Sequence, residues 1–130
     1  MGRPYPRRLV LDAGALIAIE RHSREVRLML QSALNNGGTI IVPATVVAQV
    51  WRDGARQARV AALLKSDDVT VEPLTPADAR AAGVLCGLRN TSDIVDASVV
   101  ISARRAGAIV VTSDPADLRR LDPSLTVAVI

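Results

Sequence analysis

Three aspartates carry the chemistry this sequence could perform: Asp12, Asp96 and Asp114. Asp12 follows the apolar run Leu9-Val10-Leu11, and Asp114 follows Ile109-Val110-Val111 by way of Thr112-Ser113. Both therefore stand at the carboxyl ends of predicted strands. Asp96 lies in Ser92-Asp93-Ile94-Val95-Asp96-Ala97, in the first turn of a predicted helix. Three carboxylates meeting at one point repel one another, and at least one would keep its proton at neutral pH. A divalent cation removes that conflict, and an all-oxygen donor set suits Mg²⁺ or Mn²⁺ rather than zinc. Carboxylates plus waters leave room for substrate phosphate on the same ion. The competing reading of each aspartate is a helix cap, since acids at a helix start complement its dipole. Asp93 and Asp117 stand behind the three, as caps or as supports for them.

For these acids to meet, the chain must form a particular set of elements. Short β-branched runs alternate with longer helical ones: strands over 8–11, 39–42, 69–71, 108–111 and 126–130, helices over 13–20, from 23, from 44, to about 66, 75–89, 93–106 and 114–121. Such alternation predicts a parallel sheet covered on both faces. In such sheets ligands bind beyond the carboxyl strand ends, where strand order reverses. If the first and fourth strands are neighbours there, Asp12 faces Asp114. A right-handed crossover starts the 93–106 helix at that same end, which brings in Asp96. On that helix Ile94, Ala97, Ser98 and Ile101 are predicted to face the sheet.

Length and composition narrow the alternatives. The 130 residues predict one domain over 1–130, and 49% hydrophobic residues exclude a disordered chain. The one cysteine, Cys86, excludes a disulfide framework and a cysteine zinc site and is read as a small core residue. Without Phe, and with one Trp and one Tyr, an aromatic platform for stacking bases is not expected. His22, the lone histidine, reads as a loop residue, so a serine–histidine triad has no support. The apolar run after Arg8 is interrupted by Asp12 and Glu20, too soon for a signal peptide or a membrane span, and a cytoplasmic location is expected. The net charge of +3 comes from 16 basic residues, all arginine but Lys65, and permits a nucleic-acid partner.

Around these residues the chain resembles the PIN-domain family, and within it the VapC-type toxins of toxin–antitoxin pairs. The matching pieces are Leu11-Asp12-Ala13-Gly14-Ala15-Leu16, Val42 to Arg52, Asp93-Ile94-Val95-Asp96-Ala97 and Val111 to Leu118. The resemblance implies a three-layer α/β/α sandwich on a mostly parallel sheet. It also implies a metal-dependent endoribonuclease in which Asp12, Asp96 and Asp114 hold Mg²⁺ or Mn²⁺, and cleavage at the ribose 3′-oxygen leaves a 5′-phosphate. The family's second motif normally supplies a glutamate where this chain has Gln49. Glutamine is neutral and a poorer ligand for a hard cation, but it can still orient a water. Asp53, one turn further on, is a weak substitute.

An acidic cleft that takes RNA needs a basic rim. Arg52, Arg56 and Arg59, at i, i+4 and i+7, are candidates for one wall, and Arg104 for another; a plain solvated face is the alternative. Thr112 is a candidate for holding a water at the metal. The resemblance implies a small cognate antitoxin, and a homodimer is expected. Val47, Trp51, Val60 and Leu64 are candidates to line a groove for either, or to pack in the core. Two further readings compete. Gln49 favours a PIN-like binding or assembly module with weakened catalysis. A response-regulator-like domain would want a lysine after a late strand, and Lys65 follows a helix instead.

Overall fold

A computed structural model describes residues 8–130. The chain runs β1 (Arg8–Leu11), α1 (Ala13–Glu20), α2 (Arg24–Asn35), β2 (Thr39–Pro43), α3 (Ala44–Val50), α4 (Ala58–Lys65), β3 (Val69–Glu72), α5 (Pro76–Arg89), α6 (Ile94–Ala106), β4 (Ile109–Thr112), α7 (Pro115–Leu121) and β5 (Val127–Val129). All five strands are parallel, in the order β3-β2-β1-β4-β5. Strand order reverses between β1 and β4, as the placement of Asp12 and Asp114 requires.

Local signals act where the sequence puts them. Ser23 Oγ accepts from Val26 N at 3.4 Å to start α2, and Thr75 Oγ1 accepts from Asp78 N at 3.1 Å to start α5 with Pro76 behind it. Gly107, at φ 61°, closes α6 in the left-handed conformation that costs glycine least. The central strands are apolar on both faces: Leu9, Val10, Leu11, Val110 and Val111 are all buried. Helices α2 and α6 both pack on the sheet, α4 packs on β3 and α1, and α5 and α7 pack on α6, which completes the α/β/α sandwich. No helix among the described residues is long and apolar enough to cross a membrane.

Two sequence expectations are corrected. Ile94 does not face the sheet but is 41% exposed. Helix α6 is instead buried nearly all round, through Ala97, Ser98, Val99, Val100, Ser102 and Ala103, because the sheet and α5, α7 and α3 enclose it on several sides. Arg52, Arg56 and Arg59 do not share a helical face, because α3 stops at Val50 and Trp51 is extended. The Gln57 side chain holds this break. Its Nε2 donates to Val50 O at 2.9 Å, and its Oε1 accepts from Arg52 N at 2.7 Å and Asp53 N at 2.9 Å. Val60 is core, not groove, at 1% exposed, while Trp51 is 37% exposed and packs beside Gly54. Cys86 is buried, and His22 sits in the α1–α2 turn.

Candidate active site

Asp12 leaves β1 with its backbone N donating to Val111 O at 3.3 Å, which ties it to the end of β4. Leu11 pairs with Val111, so the next residues on each strand, Asp12 and Thr112, come side by side. Asp12 is buried and caps α1: its Oδ1 accepts from Ala15 N at 3.0 Å. Burial pushes its carboxyl above the ordinary value, against the pull of the Thr112 hydroxyl and the amides of Ala15 and Gly14; the charge of Asp114 adds to the rise.

Thr112 is fully buried, and its Oγ1 accepts from Asp114 N at 2.9 Å. One hydroxyl thus supports both acids, the carboxyl of Asp12 and the backbone of Asp114. Asp114 starts α7 ahead of Pro115, yet its side chain caps nothing. The β4–α7 turn can lie this close because residue 14 is glycine. A Cβ there would stand 2.1 Å from Ser113 Oγ and 3.1 Å from Ser113 Cβ.

The helix that brings the third acid divides its two aspartates. Asp93 is the cap of α6, its Oδ1 accepting from Asp96 N at 3.0 Å. Asp96 is therefore left without a capping role. Its carboxyl is pushed up to about 7, first by burial, then by the charge of and a hydrogen bond to Asp93, and then by the charges of Asp117 and Asp12. Asp117 is raised by its hydrogen bond to Asp114 and by that residue's charge. Asp93, Asp96 and Asp117 line a cavity of about 170 Å³ with Thr91, Arg120 and Leu121.

The five aspartates thus gather at the β1/β4 end of the sheet and act on one another's charge. None of them belongs to any ion pair among the described residues, where the arginines pair with Asp53, Asp122, Glu72 and Asp78. They do not form a closed cage: among the described residues no three His, Cys, Asp or Glu are arranged to hold a metal ion as they stand. What the donors offer is hard oxygen from several acids, against which Arg120 in the cavity lining supplies one positive charge that eases Asp117. That chemistry fits a hydrated divalent cation whose remaining positions are filled by water and substrate.

The other candidates stand apart from this cluster. Gln49 is exposed on α3 and lines a separate groove that reaches Ala13, the neighbour of Asp12. Arg52 lines that same groove. Arg59 donates from Nη1 to Glu20 O at 3.2 Å and lines a cavity on the far side of α1. Arg56 is exposed and pairs at 3.8 Å with Asp53. Arg104 lies near the opposite end of α6 from Asp96, where its Nε holds the buried Asp122 at 2.9 Å. Arg120 and Thr91 in the acidic cavity were not expected from the sequence. Asp117-Leu118-Arg119-Arg120, one turn beyond Asp114, is the signal that could have pointed to Arg120.

A family model described as PIN domain matches residues 9–122. No curated protein matches the sequence. Among solved structures the chain is similar to VapBC2 from Rickettsia felis, bound to a DNA fragment from their promoter, with TM-score 0.73 and 16% identity, covering 95% of this chain and 98% of that one. It is also similar to VapC20 of Mycobacterium tuberculosis, a sarcin–ricin-loop-cleaving toxin, with TM-score 0.64 and 17% identity over 78% of this chain and 86% of that one. FitAcB from Neisseria gonorrhoeae matches with TM-score 0.62 and 15% identity over 92% and 95%.

Proposed function

The chain belongs to the PIN-domain family, and from that premise we propose that it is a metal-dependent endoribonuclease, the toxin of a toxin–antitoxin pair. The observation that carries this reading is the charge-coupled set Asp12, Asp96 and Asp114, delivered by three separate elements to the strand-order reversal with no arginine paired to it among the described residues. These three would hold Mg²⁺ or Mn²⁺. When bound, the ion supplies Lewis-acid stabilisation of charge on the phosphoryl oxygens and lowers the pKa of water.

The chain's own residues do the rest. Asp93 fixes the first turn of α6, and so the position of Asp96, through the Asp96 backbone N. Thr112 fixes Asp12 and Asp114 together. Asp96 or Asp114 is the carboxylate that would take the proton of the attacking water. Water attacks phosphorus and the ribose 3′-oxygen departs, leaving a 5′-phosphate. Likeness to VapC20, named as a sarcin–ricin-loop-cleaving toxin, and to VapBC2 and FitAcB supports the toxin reading, for which a structured RNA substrate and an antitoxin partner follow. We also propose a homodimer.

Gln49 favours a second reading, a PIN-like binding or assembly module with weakened catalysis, because a neutral side chain stands where the family places an acid. One experiment separates the two: incubation of transfer RNA and ribosomal RNA fragments with Mn²⁺ or Mg²⁺, wild type beside Asp96→Asn. Cleavage abolished by EDTA and by the substitution supports the nuclease. Cleavage that survives chelation sinks the mechanism, and RNA binding without cleavage supports the module.

A further inference from the structure

The groove beside Asp12 leads away from the acids and carries charge of the opposite sign. We infer that it is a track for the sugar–phosphate backbone of single-stranded RNA, in which Arg21 and Arg52 grip the phosphate next to the one that reacts; this deepens the ribonuclease reading and rests on it. One wall is a face of α1, where Ala13, Ile17 and Arg21 follow at i, i+4 and i+8, starting from the residue after Asp12. The other wall, at the end of α3, carries Gln49 and Arg52. The groove encloses about 400 Å³, within the range of small-ligand sites. At 1.5 Å per residue, Arg21 lies about 12 Å along the helix from Ala13, so it addresses a flanking phosphate and not the reacting one.

Three features point to a polyanion. Arg21 and Arg52 are both exposed, and neither belongs to an ion pair among the described residues, so their charge is open to an occupant. Arg52 is also held in place. Its Nη1 donates to Ala48 O at 3.3 Å and to Trp51 O at 2.6 Å, which anchors the side chain at the end of α3 and leaves Nε and Nη2 without a partner among the described residues. A guanidinium fixed at one edge loses less freedom when its other edge meets a phosphate. Glu20, the one acid in the lining, does not cancel these charges: its Oε2 accepts from Arg59 N at 3.3 Å in the first turn of α4, and its Oε1 is buried.

The lining is suited to a backbone and not to a chosen base. Ile17, 41% exposed, lies between Ala13 and Arg21 on the same face and gives sugars and bases an aliphatic bed with no hydrogen-bonding preference. The chain has no Phe, and Trp51 packs beside Gly54, so no aromatic platform selects a base here. Contacts to phosphate set position and carry no sequence information. An acidic centre needs such a track. Aspartates that hold a metal ion repel the strand they act on, and two cations along its path offset that repulsion. Two arginines with helical spacing to Arg52 do not serve: Arg56 pairs with Asp53, and Arg59 lines the cavity on the far side of α1. Arg21, at the end of α1, stands across from Arg52 instead.

The test is binding without catalysis. The intact chain in EDTA is titrated with short fluorescent single-stranded RNAs of uniform and mixed sequence at several salt concentrations, followed by anisotropy and by amide chemical shifts. Shifts should fall at Ile17, Arg21 and Gln49, and affinity should be alike across sequences. Each phosphate contact contributes about 0.7 to the slope of log affinity against log salt on a single strand, so Arg21→Gln and Arg52→Gln should each lower the slope by about 0.7 and the double variant by about 1.4. Arg21→Lys should keep it, and so should Arg80→Gln, the same loss of charge on the exposed surface of α5. Ile17→Arg should raise the slope by about 0.7, a gain that a misfolded variant would not produce. No binding, shifts elsewhere, or a slope that the Arg21 and Arg52 variants leave unchanged overturns the track. An acidic peptide that shifts these amides where RNA does not would overturn it too and assign the groove to a protein partner. Metal-dependent RNA cleavage with an unaltered slope removes the track and leaves the nuclease standing; RNA held through both arginines but never cut in Mn²⁺ does the reverse.

Discussion

Replacing Asp96 by asparagine should make the metal-free protein more stable at pH 8, an outcome opposite to that of most substitutions near a core. The Asp96 carboxyl is pushed up from 3.8 to about 7 by burial and by Asp93, Asp117 and Asp12. A carboxyl whose folded value lies above its unfolded value binds protons preferentially in the folded state. Stability therefore falls as pH rises through the window from about 4 to 7 and stays lowered above it. At 1.36 kcal/mol per pKa unit the full difference would be about 4 kcal/mol; Asp96 is only half-buried, and solvent screening reduces this to roughly 1–2 kcal/mol. Asparagine has the same shape, keeps the backbone N that Asp93 caps, and carries no charge. At this chain length the gain corresponds to a rise in Tm of about 3–8 °C. Thermal unfolding of wild type and Asp96→Asn in EDTA, at intervals from pH 4 to 8.5, measures it. The gain should be full above pH 7.5 and fade toward pH 4, and Mn²⁺ should raise the Tm of wild type more than that of the variant. A variant that is less stable at every pH, or a difference that does not vary with pH, would refute the claim that these carboxylates strain one another.

Asp122 should behave in the opposite sense. Its carboxyl is held below the ordinary value by the Ser124 hydroxyl and by Arg104, so its contribution is present at neutrality and lost as pH falls through its folded value. Asp122→Asn should cost about 1–2 kcal/mol at pH 7 and progressively less below pH 4 in chemical denaturation, since Arg104 is half-exposed; equal stability at pH 7 would sink the assignment. Gly14→Ala places a Cβ 2.1 Å from Ser113 Oγ. It should lower stability by about 1–3 kcal/mol and blunt the Mn²⁺-induced rise in Tm, and Ser113→Gly in the same chain should recover part of both; absence of recovery would mean that this contact does not position Asp114. Gln49→Glu adds a charge to the groove that reaches Ala13 and should tighten Mn²⁺ binding about two- to fivefold, or about 0.5–1 kcal/mol, by calorimetry; weaker binding would place residue 49 outside the metal's reach.

The sheet was legible because its strands are short β-branched runs and the alternation with helices admits few topologies. That β1 adjoins β4 makes the approach of Asp12 to Asp114 a consequence of strand ends alone. The basic wall was not legible. Arg52, Arg56 and Arg59 have helical spacing, but the helix between them is broken by a side chain five residues ahead, Gln57, reaching back to Val50 O and to the amides of Arg52 and Asp53. Composition carries no trace of such a contact. Arg104 likewise reads as a free cation until the chain folds Asp122 back on it from 18 residues away. Helix α6 misled at Ile94 because periodicity assumes one buried face, and this helix is enclosed on several.

Capping accounts for part of the aspartate cluster. A helix that starts beside a crowd of acids still has orphan amides to satisfy. At α1 one residue does both jobs: Asp12 caps through Oδ1 and faces the cluster, at the expense of burial that raises its carboxyl. At α6 the jobs are split, Asp93 capping and Asp96 free, and the split is what lets Asp96 approach neutrality. At α7 proline at the first helical position lowers the demand for a cap, because it has no amide, and the Asp114 side chain is released. The starts of α6 and α7 thus free a carboxylate by different devices, while at α1 one carboxyl serves both uses. Removing Asp93 would cost a cap, about 1 kcal/mol, and at the same time relieve the largest charge pressing on Asp96. A residue whose loss weakens the helix and calms the site at once is structural and electrostatic together, and no reading of it as cap or as site residue alone accounts for both effects.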